Sequence, residues 1–419
     1  MQFKKVFAIS AVAAVALAAN SNNNSTLTTA TPHVTKACSF SDFTATASSD
    51  VAQVAACATA VGDITIYGNA FGAIDLTGLE QVFGDLSVIN ATQAGTVNAP
   101  TLQLVSGKLE LNANTILSNL NLAQLTTVGT LNFNALPALQ TAGLTAGITS
   151  ADSVIISDTG LNSLTGINVF KLQTFNVNNN DQIETIDSGL IEVTDTLDIS
   201  YNAEKVDVIL NQLKGANNFI LQSVNSVQAP NLTATNGTLA ISSSSVDKIQ
   251  FKNLQTIGKS LVINDNADLE EIDFPQLTSI GGALQITDND DLSSFDGFPE
   301  LETIGGSVNM SGTFNNGTFE SLKRVAGGFV LKTDGDLSCQ AFNKLNSNGE
   351  VKGDKFQCED KVTTTSSSSN KGNSQATGSS GDSSESGSST TSKKNDASSN
   401  AGKLASVVAA FAAFGVALF

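Results

Sequence analysis

The chain has 419 residues, with 39 acidic against 21 basic side chains, a net charge of −18 and a single arginine, Arg324. That balance disfavours nucleic acid and anionic membrane surfaces as partners, because both demand a cationic face. One histidine, four cysteines and no tryptophan leave little for metal, thiol or aromatic-platform chemistry, and no cofactor or metal is expected.

Residues 1–18 read as a secretory signal peptide. Lys4 and Lys5 supply the charged start, Val6–Ala16 the apolar run and Ala16-Leu17-Ala18 the small-residue cleavage site. The run is too short to span a bilayer. Residues 19–37 read as a polar, flexible N-terminal segment holding His33, a lone histidine without the partners that a base or a metal ligand needs.

Residues 38–361 are expected to form the folded ectodomain. Ser49–Ala60 has helical character, with Ser49 or Asp50 as N-cap and Val51, Val54, Ala55 and Ala58 on one face. At the other end, Cys339 and Cys358 flank a second helical pattern, Gln340–Leu345. Four cysteines in a secreted chain argue for two disulfides, with three connectivities open. The local pairs Cys38–Cys57 and Cys339–Cys358 are expected, since a stacked fold must cap the core and strand edges at its two ends.

Between these ends one unit repeats. Gly258–Gly305 contains it twice: Leu261, Ile263, Leu269, Ile272, Pro275, Leu277 and Ile280 recur as Leu284, Ile286, Leu292, Phe295, Pro299, Leu301 and Ile304. Its signature, apolar–x–apolar after a turn, is a period-2 strand with two side chains on one face. The first apolar residue recurs thirteen times at spacings of 20 to 24: Ile64, Leu86, Leu109, Leu131, Val154, Phe175, Leu197, Phe219, Leu239, Leu261, Leu284, Val308 and Phe329. Pro100, Pro230, Pro275 and Pro299 each stand seven residues before a glycine, at one phase of the unit.

Each unit is too short for a strand, a full helix and a return. The expected fold is all-β: a three-sided, right-handed parallel β-helix or leucine-rich-repeat-like solenoid of about 13 coils with short helical, disulfide-bonded caps. Its twelve steps of about 4.8 Å give a rod of roughly 58 Å. Asn69, Asn114, Asn180, Asn202, Asn266 and Asn289 fall three residues after the second apolar position. They are expected to be structural ladders at a corner, where asparagine tolerates left-handed backbone and bonds stacked main chain. Sequons make Asn23, Asn24, Asn90, Asn231, Asn236, Asn309 and Asn316 candidate N-glycosylation sites. Asn309 lies between inward Val308 and Met310 and is expected to face out.

Residues 362–395 change to Ser, Thr, Gly, Asn and Lys and read as an O-glycosylated stalk that cannot bury enough surface to fold. Residues 396–419 end in the apolar run Leu404–Phe419 and read as a removed glycosylphosphatidylinositol (GPI) signal. Asn395 leaves a polar spacer of the expected length and is the preferred attachment site; Asn400 has smaller neighbours but a short spacer.

Signal peptide, capped LxIxxN…PxLxxIGG repeats, Ser/Thr-rich stalk and GPI tail together resemble the fungal GPI-anchored cell-wall proteins of the sporulation-specific and extracellular-mutant group. The repeat alone is also similar to the receptor L-domains of insulin- and EGF-receptor ectodomains. The resemblance implies a surface glycoprotein at the plasma membrane and cell wall, needed for wall organisation and the mannoprotein layer, with wall polysaccharide or mannoprotein as partner and no catalysis. Lys393 and Lys394 resemble the dibasic pattern that favours membrane retention over transfer to glucan.

Two rival classes are weighed against this. A β-helix glycoside hydrolase would need paired carboxylates, for which Asp288, Asp290 and Asp291, with Glu270 and Glu271 one coil earlier, are the candidates. The hydrolase motifs are missing, and these residues read better as a solvated turn row. A surface binding module, adhesin or receptor-like, would use exposed rows on the solenoid, without an aromatic platform beyond Tyr67 and Tyr201.

Overall fold

The computed structural model describes residues 30–361. The signal peptide, Asn23, Asn24, the stalk, Asn395, Asn400 and the apolar tail lie outside them. The described chain is a parallel β-solenoid, and all thirteen predicted positions fall into one register. Ile64 pairs with Leu86, Leu86 with Leu109, and so on coil by coil to Phe329. These strands form a broad sheet. The first and second apolar residues of each strand point inward and are almost wholly buried, as Leu261, Ile263, Leu284 and Ile286 show.

A second face precedes the broad strand in each coil. Its inward column runs Ala60, Val82, Val105 and Val128, then later Thr235, Ile257, Ile280, Ile304 and Val325. In the middle coils the two faces are one bulged strand, as in Thr127–Leu136 and Glu192–Ser200. In later coils a glycine pair separates them. An added Cβ at Gly281 would lie 2.1 Å from the Gly258 carbonyl oxygen, so only glycine lets the coils approach at this bend.

The third face is short and discontinuous: Ala73–Asp75, Thr96–Asn98 and Asn119–Asn121 form one piece, Thr185–Asp187, Asp207–Ile209 and Ser226–Gln228 a second, and Lys248–Gln250 with Glu271–Asp273 a third. Between the first two the chain carries Pro137, which lacks a ladder donor, and three left-handed glycines, Gly143, Gly147 and Gly166. The in-phase prolines occupy the second position of tight turns, with Leu102 N–H bonded to Ala99 O, Leu277 N–H to Phe274 O and Leu301 N–H to Phe298 O. Phe274 and Phe298 stack at that turn across one coil, centroids 5.2 Å apart.

Both predicted disulfides are present, Cys38–Cys57 and Cys339–Cys358. Helix α1, Ser48–Ala55, buries Val51 and Val54. Its N-terminus corrects the expected cap: Ala47 occupies the capping position, and the Asp50 carboxylate reaches back to accept the Thr46 and Ala47 N–H groups, both at 3.0 Å. The helix stops at Ala55, and Ala58 is exposed, because Thr59–Val61 already pairs in the second face. Helix α2, Gln340–Ser347, buries Phe342 against Phe329. Each cap also adds an unpredicted strand to the broad sheet: Phe43–Ala45 pairs with Ile64–Ile66, and Phe356–Glu359 pairs with Phe329–Lys332.

Candidate functional site

Three features of the solenoid carry chemistry: the corner after the broad strand, an acidic cleft near the C-terminal cap, and the outward face of the broad sheet. At the corner, two positions after the second apolar residue, the backbone is left-handed in ten successive coils, from Asn90 to Asp288, with φ between +48° and +58°. The ladder asparagines come one residue later. They are not themselves the left-handed residues, which corrects half of the expectation. The other half holds for five of the six: Asn114, Asn180, Asn202, Asn266 and Asn289 are buried.

The ladder geometry repeats. Asn266 Nδ2 donates to Ile241 O at 3.1 Å and to Asn289 Oδ1 at 3.0 Å, while its Oδ1 accepts the Ser244 N–H at 3.1 Å. Asn289 donates to Ile263 O, Asn202 to Val177 O and Asn114 to Val88 O in the same way. Each side chain thus closes main-chain groups that the corner leaves without a strand partner. Asn69 is the exception: it is exposed and accepts a bond from Thr92 Oγ1 at 2.6 Å. Its coil abuts the cap, where the chain leaves Ala45 into α1 and makes no matching corner.

Asp288, Asp290 and Asp291 are exposed on this corner, as a solvated turn row requires. Asp288 and Asp290 line an open cleft of about 410 Å³ with Lys332, Asp334 and Glu359. Glu271 is engaged elsewhere, 2.7 Å from Lys248 one coil away. Among the described residues no group of three or more His, Cys, Asp or Glu side chains could hold a metal ion. His33 is exposed.

On the outward face of the broad sheet, Ala240 and Val262 point out yet are only 5 % and 8 % exposed, because the rows above and below cover them. Near its middle lies Asp198, whose carboxyl burial pushes above its usual range, with a hydrogen bond from Ser200 opposing the shift. Of the sequon asparagines, Asn231, Asn236, Asn309 and Asn316 are exposed and Asn90 half-buried at the corner. Asn309 faces outward, as its place between Val308 and Met310 dictates. Asn231 Nδ2 donates to Asn211 O at 2.7 Å.

Stacked parallel coils, a filled apolar interior and disulfide-bonded caps define a capped β-solenoid of the leucine-rich-repeat-like, disulfide-stapled class. No family model and no solved structure matches the chain. Curated relatives do. The chain is 37 % identical over 334 residues to the cell surface GPI-anchored protein ECM33 of Candida albicans, covering 79 % of this chain and 81 % of that one. It is 33 % identical over 322 residues to the cell wall mannoprotein PST1 of Saccharomyces cerevisiae, covering 76 % and 72 %. It is 32 % identical over 335 residues to the cell wall protein ecm33 of Schizosaccharomyces pombe, covering 79 % of each. The chain belongs to this fungal family of cell-surface GPI-anchored wall proteins.

Proposed function

We propose that the protein is a non-enzymatic organiser of the fungal wall, displayed as a glycosylated solenoid on a lipid anchor. The observation that carries the reading is the family relationship over four-fifths of the chain, with relatives named for the cell surface and cell wall. Of the acidic residues weighed for hydrolysis, Asp288 and Asp290 stand exposed at an open cleft and Glu271 pairs with Lys248. The domain plan follows: residues 1–18 removed as a signal peptide, 19–37 a flexible N-terminal segment, 38–361 the solenoid, 362–395 the stalk and 396–419 removed on anchoring at Asn395, with Asn400 as the alternative. Phosphatidylinositol-specific phospholipase C treatment of spheroplasts, with glucanase digestion of the wall fraction, tests it. Release by the lipase places a pool on the membrane, and recovery only after glucanase makes it a covalent wall component. Recovery from neither, with the protein still in membranes, overturns the anchor. A deletion strain with normal wall composition and normal sensitivity to wall stress overturns the organising role.

A further inference from the structure

The outward face of the broad sheet is almost uncharged. In the nine coils from Leu131 to Val308, the three outward positions of each strand make twenty-seven, and Asp198 is the only ionisable residue among them. Twenty-one of the twenty-seven are Ser, Thr, Asn or Gln. A soluble surface carries about 25–35 % charged residues, which would put roughly seven to nine there. The charges of this sheet sit instead at its ends: Asp42, Asp63, Asp85, Lys108 and Glu110 before the uncharged stretch, Lys332, Lys355 and Glu359 after it. The protein as a whole is strongly acidic, so the neutrality is local.

Rows of this face bond to one another: Ser157 Oγ donates to Asn178 Oδ1 at 2.6 Å, Asn178 Nδ2 to Asn176 Oδ1 and Ser200 Oγ to Asp198 Oδ1. Two shielded oxygens, Asn132 Oδ1 and Asn264 Oδ1, have no partner. They lie six coils apart, about 29 Å at 4.8 Å per coil. At the margin of the central coil stands Tyr201, 41 % exposed and in left-handed backbone at φ +50°, a conformation that bulky residues rarely take. It directly follows Ser200, the last outward residue of that strand, and its N–H donates to Gln222 O at 3.2 Å. Of the described sequon asparagines only Asn309, at the far end, lies on this face.

We infer that this face is a docking surface for a linear, uncharged polysaccharide lying along the solenoid, with Asn176, Asn178, Ser200, Tyr201 and Gln222 at its centre. The occupant follows from the chemistry. A neutral polymer of hydroxyl groups needs no ion pair and can use regularly spaced amides and hydroxyls on each successive coil. A protein partner of ordinary composition would instead find neither an apolar anchor cluster nor complementary charge. A neutral face also avoids the desolvation penalty that ionic groups would impose on a ligand unable to pair with them. The inference rests on the wall-organising reading and names the site through which it acts.

The test uses the full-length protein purified from its own membranes in detergent, with soluble β-1,3-glucan, mannan and chitin oligosaccharides as probes. Binding to at least one probe is expected, unchanged between low and high salt, since no ion pairs form. Asn178→Lys with Gln222→Lys places two cations on either side of Ser200 and should weaken binding about tenfold or more, the scale of losing one or two net hydrogen bonds. Tyr201→Ala should weaken it several-fold with folding intact, because Ala113 and Ala135 already occupy the same left-handed position in other coils. Gln255→Lys, exposed at the start of the second face and away from the broad strands, should change nothing. No binding to any probe by the folded wild type overturns the inference, as does equal weakening by Gln255→Lys or abolition by salt. Expression of the double lysine variant in a deletion strain separates the two readings. A deletion strain with a normal wall sinks the organising role itself. A defective wall fully rescued by the variant sinks only the face.

Discussion

Replacement of Asn266 by alanine is the most direct probe of what holds the coils in register. The side chain is buried and makes three bonds across coils: Nδ2 to Ile241 O at 3.1 Å, Nδ2 to Asn289 Oδ1 at 3.0 Å, and Oδ1 from the Ser244 N–H at 3.1 Å. Alanine removes all three. Asn289 Oδ1 keeps the Asn266 main-chain N–H at 3.1 Å, so it is not orphaned. The Ser244 N–H loses its acceptor in a buried site, and the Ile241 carbonyl loses a donor. One orphaned buried donor costs about 1–3 kcal/mol, and the weakened carbonyl with the small void brings the sum to about 2–4 kcal/mol. The same change at exposed Asn69 should stay within about 0.5 kcal/mol. Solenoids open locally, so hydrogen exchange is the sharper assay beside urea denaturation. Amides of the Ser244 and Asn266 corners should exchange about thirtyfold faster or more in Asn266→Ala, with coils near Ile64 unaffected. Equal stability of the Asn266→Ala and Asn69→Ala proteins, with wild-type protection at Ser244, would refute the ladder as a source of stability.

Three further outcomes are expected. Gly281→Ala should cost about 1–3 kcal/mol in urea denaturation, because the new Cβ meets the Gly258 carbonyl, while Gly72→Ala, with open space around it, should be close to neutral; similar midpoints for the two would contradict the close-approach argument. Asp198→Asn should stabilise the protein at pH 7. Burial raises the Asp198 pKa, so the folded state holds that proton more tightly than the unfolded chain does, and the cost of ionisation grows as pH rises through the carboxylate range. The gain should therefore vanish at pH 3, below the ordinary value of 3.8, and a gain of the same size at both pH values would rule out ionisation as its source. Paired Cys339→Ser and Cys358→Ser changes open a loop of 19 residues and should cost about 3 kcal/mol. Limited proteolysis should then cut first around the edge strand Phe356–Glu359, and an unchanged cleavage pattern would show that α2 and the strand hold the cap without the bond.

Most of the solenoid was legible because its rules are local and periodic. Two apolar residues two apart define a strand, a proline two before a leucine defines a turn, and a period near 22 leaves room for nothing but short faces, so the thirteen strand positions and their mutual register could be read from spacing alone. The local disulfides followed from the need to close the ends. The errors came where a residue's state depends on what lies above or below it. Asn69 has the spacing of a ladder asparagine, yet it is exposed because the coil before it turns into α1. The left-handed residue proved to be the one before each asparagine, since the asparagine's own task is to bond the neighbouring coil and not to bend its own. The strands Phe43–Ala45 and Phe356–Glu359 are short and follow no repeat; only an existing edge recruits them. The uncharged outward face was present in the sequence as isolated residues some 22 positions apart. It became a surface only when coiling superposed them, because side chains separated by a full period become neighbours through the axial stacking of the backbone.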